Sequence, residues 1–304
     1  MSVTVSAVTS PVWLGEGPHW SHEQQALFFV SIFDKSIHKY DPASGKHTSA
    51  KLDGMPGFVI PLEGTKDRFV VGLKLSVVVV WWDGEGEARV ERTVATLDQH
   101  SADNRINDAK ADPRGRLFVG TMGSEIEPGK FLPKKGSLYR VDADGSAHRL
   151  LTDVDISNGL CWDEAAHAFY YADSLEYAIR RYHYDVATGD ISNPQIIFRY
   201  ADHGLEGIVD GMTIDTDGNL WVANFDGSQV LKIDPRKGAL LQKVPIPALQ
   251  TTSCAFGGAS LDELYVTSAA MDRGAPQRPP AGSTFCVSGL GVRGHPGQNV
   301  RLHQ

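Results

Sequence analysis

The chain has 304 residues, with 29 Lys and Arg against 37 Asp and Glu and a formal net charge of −8. No basic block or stripe interrupts this balance, so the attraction that draws proteins to nucleic acid or anionic lipid is absent, and a small-molecule ligand suits the composition better. The three cysteines, Cys161, Cys254 and Cys286, have no paired CxxC spacing and read as reduced thiols, not a disulfide framework.

The amino-terminal stretch MSVTVSAVTSPVWLG has neither a basic start nor an apolar core of signal length, and the longest apolar run, VVVVWW from position 77, is too short to span a bilayer. The expectation is a soluble, cytoplasmic monomer that engages no membrane. Helical periodicity is nearly absent. Short apolar and aromatic runs recur instead between Gly, Asp, Pro and Asn clusters: ALFFVS from 26, RFVVGL from 68, RLFVGT from 116, AFYYAD from 168, NLWVAN from 219 and ELYVTS from 263. With Leu27, Phe69, Leu117, Phe169, Leu220 and Leu264 taken as equivalent, the intervals are 42, 48, 52, 51 and 44 residues. Six such units predict an all-β fold, a six-bladed β-propeller, forming one domain over 1–304.

Many of the acidic residues read as turn formers. HKYDPASGK, HYDVATGD and KIDPRKGA each place an Asp a few residues ahead of Gly, the chemistry of a tight turn between outer strands. DTDGN at 215–219 resembles the start of a calcium loop, but position 12 of that loop would be Asp226 in place of glutamate, and the residues between form a strand, so an EF-hand is excluded. Trp13, Trp20, Trp162 and Trp221 read as blade core. His19 and His203 read as non-ligands near the channel mouth, and 271–283, rich in Pro and Gly, as a surface loop of the last blade.

Four polar elements stand outside the repeat. Glu16 lies between Gly15 and Gly17 in LGEGPHW; Arg105, Asn107 and Asp108 follow Asn104 in NRINDAKADPRGRLFVGTM; Asn158 sits in DISNGLCW and Asp210 in VDGMTID. Each precedes an apolar strand at a corresponding loop-to-strand position, so a propeller brings them to one end of its channel. Glu, Asn and Asp supply only oxygen, which suits a hard divalent cation such as calcium, magnesium or manganese. No phosphate loop, serine elbow or cysteine nucleophile context is present.

These motifs, in this order and along nearly the whole chain with GSLYRVD, YYADS, TTSCAFGG and GLGVRG, resemble the gluconolactonase, regucalcin (senescence marker protein) and luciferin-regenerating enzyme family. The resemblance implies a six-bladed propeller and one divalent cation, calcium foremost with zinc, manganese or magnesium as alternatives. Its ligands would be Glu16, Asn158 and Asp210. Sugar contacts would come from Arg105, Asn107 and Glu125, with Asp108 beside them. Ser31 replaces an Asp that the family often carries, and the lid-like segment around 55–61 varies among members, so the substrate stays open.

The implied reaction is hydrolysis of a sugar lactone. A divalent ion polarises the carbonyl and lowers the pKa of bound water. Asp210, or else Asp108 from the neighbouring blade, takes the proton, with Asp210 preferred. Arg105 and Asn107 would hold ring hydroxyls and the carbonyl, because a guanidinium donates in a fixed fork. The alternatives are a calcium-binding protein without turnover and a hydrolase of a luciferin-type or organophosphate substrate. A protein-interaction propeller would not need acids and amides converging at one channel mouth.

Overall fold

Each apolar run becomes the second strand of a four-stranded antiparallel sheet in the computed structural model, which describes residues 2–127, 129–272 and 274–303. Ala26–Ser31, Leu117–Met122 and Ala168–Asp173 are buried at every position, because both faces of these strands lie against neighbouring sheets. That two-sided burial is why they read as unbroken apolar runs. Aromatic side chains fill the gaps between sheets: Phe28 meets Phe69 at 4.8 Å and Trp82 at 6.4 Å, and Phe118 meets Trp162 at 5.1 Å.

Among the described residues there are six such sheets, the blades of a propeller. Their inner strands are Gly15–Ser21, Pro56–Pro61, Arg105–Ala111, Ser157–Asp163, Ile208–Ile214 and Gln250–Gly257. Each packs against the inner strands on either side, and the last packs against the first, which closes the ring. Blade six draws its outermost strand from the start of the chain, where Thr4–Ala7 pairs with Phe285–Ser288. At one end of the ring the carboxy-terminal segment is tied down: Glu63 N donates to Val300 O, and Arg301 N to Gly115 O, each at 2.8 Å.

The turn readings hold. Asp41 accepts from Ala43 N, Asp185 from Ala187 N and Asp234 from Arg236 N, while Asp215 accepts from Asp217 N, Asn219 N and Trp221 Nε1. All three cysteines are free. No helix of the described residues is long and apolar enough to cross a membrane.

Two segments differ from expectation. The stretch around 55–61 is no lid: Pro56–Pro61 is the fully buried inner strand of blade two. The segment 271–283 is more than a surface loop, since Ala281 and Ser283 are buried, with Ser283 O accepting from Ser268 Oγ. Arg273 lies outside the described residues.

Candidate metal centre and substrate cavity

Glu16, Arg105, Asn107, Asn158 and Asp210 sit within the inner strands themselves, not on loops leading into them. In blades three, four and five the pairing of the inner strand slips where these residues stand, between Ile106 and Ala109, Ser157 and Leu160, and Val209 and Met212. Blade one slips between Glu16 and His19. Asn107, Asp108, Asn158 and Asp210 thus occupy bulges, whose unpaired residues can turn their side chains out of the pleat and toward the channel. Gly159 and Gly211 follow the two candidate ligands because the next inner strand passes close by: a Cβ on Gly159 would stand 2.6 Å from Asp210 O, and one on Gly211 would strike the Ser253 side chain.

One cavity of about 670 Å³ is lined by Glu16, Arg105, Asn107, Asn158 and Asp210 together, with Glu125 at its outer part. Four blades and residues nearly two hundred positions apart therefore meet there. Asp108 is not part of the lining. Its carboxylate is buried, accepts from Ala109 N at 2.8 Å, and lies within electrostatic reach of Glu16 and Asp210. His19 is not near this mouth: with Lys110 it lines a second cavity, of about 560 Å³. His203 belongs to neither lining and stacks on Phe198 at 4.2 Å.

The Asn158 amide donates from Nδ2 to Ser174 Oγ at 3.0 Å and stands close enough to Asp210 to favour its ionised form. Its Oδ1 and Asp210 Oδ1 are buried with no hydrogen-bond partner among the described residues. Burial, reinforced by Asp108, pushes the Glu16 carboxyl up to about 8, with the Gly17 N–H and Arg105 opposing. Burial and then the charges of Glu16 and Asp108 hold Asp210 well above the usual carboxylate range. Such a group of buried carboxylates stays ionised only beside added positive charge. A hard divalent cation held by Glu16, Asn158 and Asp210 fits this donor set, since it would use both partnerless oxygens. Among the described residues no three His, Cys, Asp or Glu side chains gather as a metal cluster, and this set counts two carboxylates and an amide.

Arg105 donates from Nη1 to Asn107 Oδ1 at 2.8 Å, and Asn107 Nδ2 donates to Ser157 O at 2.9 Å. Asn107 is therefore tied at both ends and fixes the guanidinium. Burial pulls Arg105 down to about 10, with Glu16, Glu125 and Asp210 opposing, so it stays charged at neutral pH. Glu125 is exposed on the ribbon Glu125–Glu127/Lys130–Phe131, where its Oε1 accepts from Gly129 N.

Part of the wall departs from the sequence expectation. Trp13, expected in the core, is 54% exposed and lines the cavity, whereas Trp20, Trp162 and Trp221 are buried as expected. The available signal was its place in SPVWLG, outside the repeating strands. Ser31 Oγ donates to Asp34 Oδ2 at 2.6 Å, and Asp34 lines the cavity, so a carboxylate three residues on stands near the position where Ser31 lacks one. Ser174 and Leu175 also reach the cavity, from the turn after the blade-four strand.

A six-bladed propeller that presents buried oxygen donors and a fixed guanidinium at one end of its channel defines the class of protein. The chain belongs to the SMP-30/gluconolactonase/LRE-like family, whose model matches residues 14–270. It is 39% identical to regucalcin of Gallus gallus over 299 residues, covering 97% of each chain. Among solved structures it is similar to a luciferin-regenerating enzyme, with a TM-score of 0.94 and 39% identity over 99% of this chain and 100% of that one. It is also similar to a calcium-binding protein, regucalcin, from Agrobacterium tumefaciens, with a TM-score of 0.86 and 26% identity over 97% of each chain.

Proposed function

We propose that the protein hydrolyses lactones at this cavity with the help of one divalent cation, calcium foremost, held by Glu16, Asn158 and Asp210. The observation that carries the reading is the pair of partnerless buried oxygens, Asn158 Oδ1 and Asp210 Oδ1, in the same cavity as a charged arginine. When bound, the cation supplies Lewis acidity toward the carbonyl oxygen and acidifies water. Arg105, held by Asn107, presents its remaining N–H groups to the oxygens of the lactone and opposes the negative charge that develops on the carbonyl. The Asp210 carboxylate accepts the proton of the attacking water. The new bond joins water oxygen to the carbonyl carbon, the ring C–O bond breaks, and the proton passes to the departing alkoxide, leaving a hydroxy acid. Asp108 does not line the cavity, which supports Asp210 over Asp108 as the base.

The test is δ-gluconolactone turnover by chelator-treated protein with calcium, magnesium, manganese and zinc restored singly. Loss of a general base costs about 10²–10⁴-fold, so Asp210→Ala should lose at least about a hundredfold in kcat together with metal binding. Retention of both by the variant overturns the site. Calcium binding without turnover would favour the second reading, supported by the calcium-binding name of the Agrobacterium relative.

A further inference from the structure

Seven large hydrophobic side chains are exposed among the described residues: Val3, Trp13, Val90, Ile126, Leu175, Tyr177 and Leu241. Scattered exposed hydrophobics are ordinary and call for no explanation. These are not scattered. Trp13 and Leu175 line the cavity, Ile126 lies on the ribbon that contributes Glu125 and Phe131 to it, and Tyr177 caps the short turn that carries Leu175. Two of the seven thus line one opening, and two more lie on the elements that border it.

Trp13 is also built into place. Its N donates to Asp34 Oδ2 at 2.8 Å, its O accepts from Ala270 N at 2.9 Å, and its indole meets Phe33 edge-on at 5.7 Å. With its backbone tied at both polar groups and its indole against Phe33, Trp13 is a prepared apolar surface, with less ordering entropy to lose when a ligand covers it. Phe33, Phe131 and Met271 continue that surface within the same cavity. Its volume of about 670 Å³ lies in the range of roughly 300–1,000 Å³ that encloses a drug-sized ligand, and a single hexose ring fills only a fraction of it.

Charge narrows the choice further. Five carboxylates line the cavity, Glu16, Asp34, Glu125, Asp210 and Asp272, against Arg105 as the one basic lining residue described. Even with a divalent cation counted beside Arg105, the acids outnumber the positive charges, so a neutral ligand enters such a mouth more readily than an anion, and the acid formed by ring opening is repelled from it.

Resting on the lactonase reading, we infer that the preferred substrate is an uncharged lactone bearing a hydrocarbon group, with the ring at Arg105 and Asp210 and the hydrocarbon against Trp13, Phe33 and Leu175. The substituent, not ring hydroxyls, then supplies much of the selectivity.

The test compares δ-valerolactone, δ-gluconolactone and a δ-lactone carrying a hexyl chain on the metal-loaded protein. Each methylene buried is worth about fourfold in affinity, so the hexyl lactone should show a KM at least about tenfold below that of δ-valerolactone. Trp13→Ala and Leu175→Ala should each erase about threefold to tenfold of that preference through KM, with the kcat for the hexyl lactone kept. A KM for the hexyl lactone no lower than that for δ-valerolactone or δ-gluconolactone, or a full preference in both variants, overturns the inference and leaves the lactonase reading standing. Absence of turnover with every lactone overturns the reading beneath it, and both then fall.

Discussion

Exchange of Asp210 for Asn should separate the stability of the metal-free protein from its response to metal. Glu16 and Asp210 are both buried, Asp108 adds a third carboxylate within reach, and Arg105 is the nearby cation that opposes the first two. Asp210→Asn keeps the shape of the side chain and removes a buried carboxyl that, without metal, is either uncompensated or held protonated against its tendency to ionise in the unfolded chain. A buried charge without full compensation costs several kcal/mol, so the metal-free variant should unfold at the same temperature as metal-free wild type or above it. A cation at one hundred times its Kd adds about 2.7 kcal/mol to the wild type by mass action. At roughly 1.5–2 °C per kcal/mol for a domain of this size, Tm should then rise by about 4–5 °C. The variant should gain less than about a third of that. Scanning fluorimetry after dialysis against EDTA, with each metal titrated back, reads both quantities. A wild type indifferent to calcium, magnesium, manganese and zinc would refute the reasoning, and so would a variant that responds in full.

Two further outcomes follow from groups outside the cavity. Asp98, buried, accepts from Asn104 Nδ2 at 2.7 Å, Thr121 Oγ1 at 2.5 Å and Tyr139 OH at 2.7 Å, which anchors the chain just before Arg105. Tyr139→Phe should cost about 1.5–3 kcal/mol, the worth of a hydrogen bond to a charged group, and urea unfolding measures it; a loss under 0.5 kcal/mol would mean the network adds nothing. His38 is held down to about 3 by burial and then by neighbouring His47, 3.0 Å away, while an unfolded histidine protonates near 6.5. The unfolded chain therefore binds the proton first, so this contribution is whole above pH 6.5 and declines as pH falls toward 3, by up to about 1.4 kcal/mol per unit. Urea unfolding at pH 7, 6 and 5 should show a steeper decline for wild type than for His38→Gln, and equal slopes would exclude the assignment.

How much was legible in the chain depends on how local the cause is. The second strands of the blades announced themselves because each is buried on both faces, and Asp41, Asp185 and Asp234 read as turns because a carboxylate capping its own turn needs only neighbouring residues. Glu16, Asn158 and Asp210 stood out by failing to repeat, and family motifs reinforced them. Trp13 was misplaced because the composition of SPVWLG cannot say whether an indole faces a neighbouring blade or an opening. Likewise, His19 and Glu16 lie three residues apart yet serve different cavities, a separation set by the slipped pairing between them.

By itself, then, the sequence determined the repeat, its number of units, the burial of their second strands and the residue types available for oxygen coordination, since all of these follow from local pattern and chemistry. Only the tertiary structure decided that Thr4–Ala7 completes blade six and that Asn107 faces the cavity while Asp108 does not. It also set exposed apolar side chains around the mouth. These outcomes turn on ring closure and on bulges in the inner strands, where the direction of a side chain depends on pairing with chain far away in sequence.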